Sequence, residues 1–182
     1  GVNMALSTIG TNSIADSAIT SAKTTIGIKE ADQWRLTTDF SGPSSSTVIS
    51  ANWERNDTLF DKIGTGMTQS SGVFTFPSTG IYHLTWICYF KVTADTQYAG
   101  VQIYGTANNS DYSLLAQNYH GVNYTGSGDV NTTVVSQATF DCQNTTNYKV
   151  KFHVDGQNTS YSVGAASTAQ LTGATFIRLG DT

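Results

Sequence analysis

Charge is scarce in this chain. Asp, Glu, Lys and Arg make up 12% of its 182 residues, against about 25% in a typical globular domain. The 9 basic and 13 acidic residues are scattered singly and leave a net charge of −4. No basic stripe is present for nucleic acid, and no polybasic patch for an anionic membrane. No run approaches the ~20 apolar residues that span a bilayer. The opening "GVNMALSTIG" has neither the basic n-region nor the apolar h-region of a secretory signal.

Catalytic signatures are equally sparse. His83, His120 and His153 are far apart and form no H-x-H or HExxH spacing. No G-x-S-x-G elbow, phosphate loop or dinucleotide fingerprint occurs. Glu30 and Glu54 are the only glutamates. Asp61, Asp141 and Asp155 could meet in the fold as paired carboxylates, but aspartates near turns usually bond their own backbone. Cys88 and Cys142 are the only cysteines. Neither has a ligand-spaced partner, and buried free thiols are favoured over a disulfide. No enzymatic activity, metal or cofactor is expected.

Ser, Thr, Asn and Gly fill the space that charge leaves. From Trp34 onward, β-branched and aromatic runs alternate with clusters of these residues, the pattern of an all-β sandwich or barrel. "YKVKFHV" alternates strictly: Tyr148, Val150, Phe152 and Val154 face one way, Lys149, Lys151 and His153 the other. "IYHLTWICYF" puts Tyr82, Leu84, Trp86, Cys88 and Phe90 on one face and Ile81, His83, Thr85, Ile87 and Tyr89 on the other. Both faces carry apolar groups, so this strand is expected to be covered on both sides. His83 and His153 oppose the main apolar rows and read as solvated or interface histidines. Further strands are predicted near 58–64, 72–76, 98–104, 113–119, 132–141, 160–165 and 171–179. Between two of them, "PSTG" reads as a turn: Pro77 presets φ and Gly80 takes a conformation closed to other residues.

Residues 1–33 differ. Ile9, Ile14, Ile19 and Ile26 stand among small polar residues. Ser13 followed by Asp16 resembles a helix-start capping pattern, and Ala15, Ala18, Ile19 and Ala22 share one helical face. The segment is either a disordered tail or an arm that orders on a partner; the recurring isoleucines favour the arm. The expected division is an arm at 1–33 and a head at 34–182. Residues 105–129 place Tyr112, Tyr119, His120 and Tyr124 among Asn, Ser and Gly. Tyrosine with small polar neighbours suits recognition, though such stretches are often plain connections. The triplets at Asn123 and Asn131 that match N-x-[ST] are expected by chance in an Asn/Thr-rich chain.

"GVFTFPSTGIY" supplies Gly72, Phe74, Pro77, Gly80 and Tyr82 in the spacing G-x-F-x-x-P-x-x-G-x-Y. With "FDKIGTG" before it and "LTGATFIRL" near the end, residues 48 to 180 resemble the C1q/TNF-like jelly-roll family. The end motif departs from the family, which usually has Phe where this chain has Leu171. A narrower resemblance, through "ADQWRLTTDF", "NWERND" and "GTNSIADSAITSAK", is to structural proteins of tailed, especially marine, bacteriophages that carry a C1q-like head. These resemblances imply an all-β C1q/TNF-like jelly-roll sandwich, a homotrimer, and a non-enzymatic place on the virion surface. They imply that Phe60, Phe74, Pro77, Gly80, Tyr82, Leu84, Trp86, Phe90, Leu171 and Gly173 build the core and threefold contact. Ile9, Ile14, Ile19 and Ile26 would serve attachment to other virion proteins, such as the major capsid or a fibre or tail protein. A capsid-decorating role is the first expectation. A fibre tip that holds host surface glycan through Tyr112, Tyr119, His120 and Tyr124 is the alternative. An extracellular C1q/TNF-like signalling ligand is disfavoured, since no signal peptide, collagen-like repeat or anchor precedes the head. Neither nucleic acid nor membrane is an expected partner.

Overall fold

A computed structural model describes residues 27–128 and 130–182. The described residues form two antiparallel β-sheets and no helix. The strands are β1 (Ala31–Leu36), β2 (Phe40–Ser41), β3 (Thr47–Val48), β4 (Trp53–Arg55), β5 (Lys62–Ile63), β6 (Thr68–Ser70), β7 (Val73–Thr75) and β8 (Gly80–Val92). There follow β9 (Thr96–Thr106), β10 (Ser113–Val122), β11 (Val130–Cys142), β12 (Lys149–Gly156), β13 (Tyr161–Gly164) and β14 (Gly173–Gly180).

Sheet A is centred on β8. β11 pairs along one edge of it, β13 and β14 share the other, and β14 leads on to β1, β4 and β5. Sheet B runs β10-β9-β12-β7-β6, with β3 also on β12. The outcome is the expected all-β sandwich of jelly-roll type.

Alternation in β8 decides the core. Tyr82, Leu84, Trp86, Cys88, Phe90 and Val92 are all buried, while Ile81, His83, Thr85, Ile87 and Tyr89 are half-buried on the sheet's outward face. The inward row packs on Val101 and Ile103 of β9 and Val150, Phe152 and Val154 of β12. Rings dominate the centre: Trp86 lies 5.3 Å from Phe152 and 5.6 Å from Trp53, and Phe74 sits 5.2 Å from Phe176. The Trp86 Nε1–H donates across the sandwich to the His153 carbonyl at 2.9 Å, so the largest core side chain leaves no orphaned donor.

Turn chemistry agrees with the sequence. Ser71 and Gly72 join β6 to β7 with φ of 50° and 79°, the two positive values of a tight hairpin turn. A Cβ at Gly72 would come within 2.2 Å of the Ile49 carbonyl oxygen. Gly80 opens β8 at φ 142°, as the "PSTG" reading requires.

One expected strand needs correction, and the structure places two other features more closely. The strand predicted at 58–64 shrinks to Lys62–Ile63, and Phe60 is exposed. The preceding segment turns outward, with Leu59 at positive φ, so its apolar residues never reach the core. The head opens before Trp34: β1 begins at Ala31, and Asp32 on it is buried, accepting from the Trp34 Nε1–H, the Arg55 guanidinium and the Met67 backbone N–H. Leu171 lies ahead of β14 and is only half-buried. The attachment residues Ile9, Ile14, Ile19 and Ile26 lie outside the described residues.

Candidate functional site

Two outward faces are available, one on each sheet. On sheet A the pairing register lines up three rows. Val135, Ile87 and Gly173 form one; Gln137, Thr85, Thr175 and Gln33 the next; Thr139, His83, Ile177, Ala31 and Ile63 the third. The middle row is tied laterally. Gln137 Nε2 donates to Thr85 Oγ1 at 3.3 Å, and Gln33 Nε2 to Thr175 Oγ1 at 3.2 Å. Ile63 and Val135 are 44% and 39% exposed. The result is a field of aliphatic and uncharged polar groups with His83 in its third row. Arg35 closes it at one side, buried beneath residues 54–58. Its Nε donates to Glu54 at 2.9 Å, its Nη1 to Asn56 at 3.0 Å and its Nη2 to Asp57 at 2.6 Å. Burial opposes the charge, but these carboxylates outweigh it and hold the guanidinium pKa above its ordinary value.

The residues assigned to core and threefold contact divide accordingly. Phe74, Tyr82, Leu84, Trp86 and Phe90 are fully internal. They shape the sandwich rather than a surface. Tyr82 donates its hydroxyl to the Ser78 carbonyl at 3.0 Å, beside half-buried Pro77. Gly173 is buried in the row of Ile87. Sequence reasoning named Ile81 and Ile87 as the second face of β8. It missed Ile63, Val135 and Ile177 beside them, because alternation reveals a strand's face but not its neighbour.

The tyrosine-rich stretch holds β10 at its centre, where a strand is expected near 113–119, with Tyr112 ahead of that strand and Tyr124 after it. Tyr119 and His120 are successive residues of β10 and point to opposite sides. Tyr112 lies under the Lys151 ammonium, 3.7 Å from its ring centre. Tyr124 lies in the connection after β10, its backbone N–H donating to Asp95 at 2.6 Å. The structure therefore does not gather the four candidate residues. Tyr119 joins others instead: Tyr98, Gln102, Gln117 and Asp155, all on the outward face of sheet B. Burial, against the Gln102 hydrogen bond and with the help of Asp155, raises the Tyr119 phenol pKa.

The three aspartates also fail to meet. Asp141 is on the outward side of sheet A, Asp155 on that of sheet B, and Asp61 precedes β5. Among the described residues no group of three or more His, Cys, Asp or Glu is placed to hold a metal ion, and no helix is long and apolar enough to cross a membrane. Both cysteines are free and buried. Burial pushes the Cys142 thiol up to about 11 and that of Cys88 higher still.

No family model and no curated protein matches the sequence. Solved structures do match the fold. Murine APRIL at pH 5.0 superposes with a TM-score of 0.60 at 13% identity, over 82% of this chain and 98% of that one. Eiger TNF from S. frugiperda superposes with a TM-score of 0.58, also at 13% identity, over 84% of this chain and 93% of that one. The described head is thus a TNF-like jelly roll, similar in fold to both proteins.

Proposed function

We propose that this chain is a non-enzymatic structural protein that assembles as a homotrimer through the outward face of sheet A and stands on the surface of a phage virion. The observation that carries self-assembly is the row pattern on that face. Ile87, Ile177, Ile63 and Val135 lie among hydrogen-bonded Thr and Gln side chains. A field of aliphatic and uncharged polar groups across one sheet face suits a protein contact. Closed symmetry hides such a field without leaving an open end. The threefold number and the virion surface rest on the sequence resemblance to C1q/TNF-like phage proteins, and the TNF-like fold is in keeping with the self-association. In this reading the segment ahead of β1, with Ile9, Ile14, Ile19 and Ile26, supplies the attachment element to the capsid, fibre or tail.

Sedimentation equilibrium of the full chain at micromolar concentration tests assembly. A mass three times the 19.4 kDa chain is expected, and a stable monomer refutes it. A chain starting at Gly27, which keeps Glu30 and Asp32 in place, should form the same trimer. It should fail to attach to particles lacking the protein. Attachment as strong as that of the full chain would place the contact on the head.

A further inference from the structure

The outward face of sheet B carries a built concavity that self-assembly through sheet A leaves free. The register sets Tyr119, Gly100 and Asp155 side by side across β10, β9 and β12, and Gln117, Gln102 and His153 in the adjacent row. Glycine at 100 lets the Tyr119 ring lie on the backbone of β9: a Cβ there would sit 2.2 Å from Tyr119 Cδ1. The phenol is then fixed from three sides. Gln102 Nε2 donates to it at 2.8 Å, and its own proton goes to Gln117 Oε1 at 3.1 Å or Asp155 Oδ2 at 3.0 Å. Tyr98 stands nearly perpendicular to it, with ring centres 5.2 Å apart at 82°. Tyr98, Tyr119 and Asp155 line an open hollow of about 280 Å³.

We propose that this hollow binds a neutral pyranose unit of a surface glycan. Its size lies at the lower edge of small-molecule pockets, about 300–1,000 Å³, which suits one or two sugar rings and not a folded partner. Tyr98 and Tyr119 are 36% and 40% exposed, and their rings offer apolar surface to the C–H face of a pyranose. The Tyr98 hydroxyl and Asp155 Oδ1 take no hydrogen bond from the described residues, and both suit sugar hydroxyls. Among the described residues Asp155 is the only charged one lining the hollow, so an acidic sugar is repelled. The bonds locking Tyr119 mean that little ordering remains to be done on binding. A single site of this size is weak, and several copies on one particle would raise its effect by avidity.

The test uses the full chain and surface plasmon resonance against immobilised dextran, mannan, galactan and chitotetraose, with alginate as the acidic comparison. At least one neutral probe should bind. Tyr98→Ala should weaken that binding by about tenfold or more without changing the melting temperature, and Asp155→Asn should weaken it too. Binding to no neutral probe, binding to alginate alone, or affinity that survives both substitutions overturns the proposal. Should Tyr98→Ala fail to fold, Asp155→Asn alone decides. Ile87→Asp separates this site from the trimer: it should abolish assembly while monovalent sugar binding persists.

Discussion

Substituting Trp86 and Ile87 in turn tests the division of labour within one strand. The two are neighbours on β8 and face opposite ways: Trp86 is fully buried, Ile87 half-buried on the outward field. Trp86→Ala removes ring contacts with Trp53 at 5.6 Å and Phe152 at 5.3 Å. It also strips the His153 carbonyl of its 2.9 Å side-chain donor. Truncations of this kind cost about 3–5 kcal/mol. In a chain of this length each kcal/mol lowers the melting temperature by about 2–4 °C, so a loss of about 6–20 °C is expected. Ile87→Asp should cost an isolated chain only about 1 kcal/mol, the middle of the range for single substitutions, because its carboxylate can turn to water.

The same carboxylate behaves differently once the face is covered. Each copy would then bury an unpaired charge at an effective cost of several kcal/mol, enough to dissociate the assembly. Calorimetry across a range of protein concentrations separates the two effects. For the parent chain the melting temperature should rise with concentration, as mass action requires of an oligomer. For Ile87→Asp it should be lower and independent of concentration, with a folded circular-dichroism spectrum retained. Trp86→Ala should melt early yet keep its dependence on concentration. The reasoning fails if Trp86→Ala melts within about 2 °C of the parent, less than about 1 kcal/mol. It fails equally if Ile87→Asp remains a concentration-dependent oligomer.

The imidazole of His153 gives a pH signature. Burial, reinforced by nearby Lys151, pulls its pKa down from 6.5 to about 4, so the unfolded chain takes up the proton more readily than the folded one. Its contribution to stability is therefore complete above pH 6.5 and falls away as pH drops toward about 4. Melting curves at successive pH values should decline over that window, and His153→Gln should flatten the decline; an unchanged slope would refute the assignment. The Arg35 network should respond asymmetrically to urea unfolding. Arg35→Ala leaves the Asn56 Oδ1 with the Thr58 backbone N–H as its remaining donor and empties space under residues 54–58, at about 2–4 kcal/mol. Asp57, 72% exposed, can be replaced by Ala at a cost of about 1 kcal/mol or less; equal losses would refute the reading.

What the sequence disclosed and what it hid follow from one physical distinction. Side-chain alternation is a property of a single strand, and the inward rows of β8 and β12 were readable from "IYHLTWICYF" and "YKVKFHV". Turns are also local: Pro77, Gly80 and the Ser71-Gly72 pair announce their backbone conformations through their own sterics. Phe60 misled because an aromatic beside Leu59 carries strand propensity wherever the chain takes it, and here positive φ at Leu59 turns it to water. Pairing register is not local. Tyr119, Gly100 and Asp155 sit far apart along the chain, and only the alignment of β10 on β9 and of β9 on β12 makes them one row. The three candidates grouped with Tyr119 in sequence went elsewhere for the same reason. Successive strand residues point to opposite faces, so nearness in sequence separates His120 from Tyr119 as surely as register joins Asp155 to it. The outward face of β9 itself is local. Tyr98, Gly100, Gln102 and Tyr104 alternate with buried Ala99, Val101 and Ile103. A glycine among aromatic and amide residues on the outward face of a central strand leaves a gap in the pleat, and a side chain from the next strand must cover it.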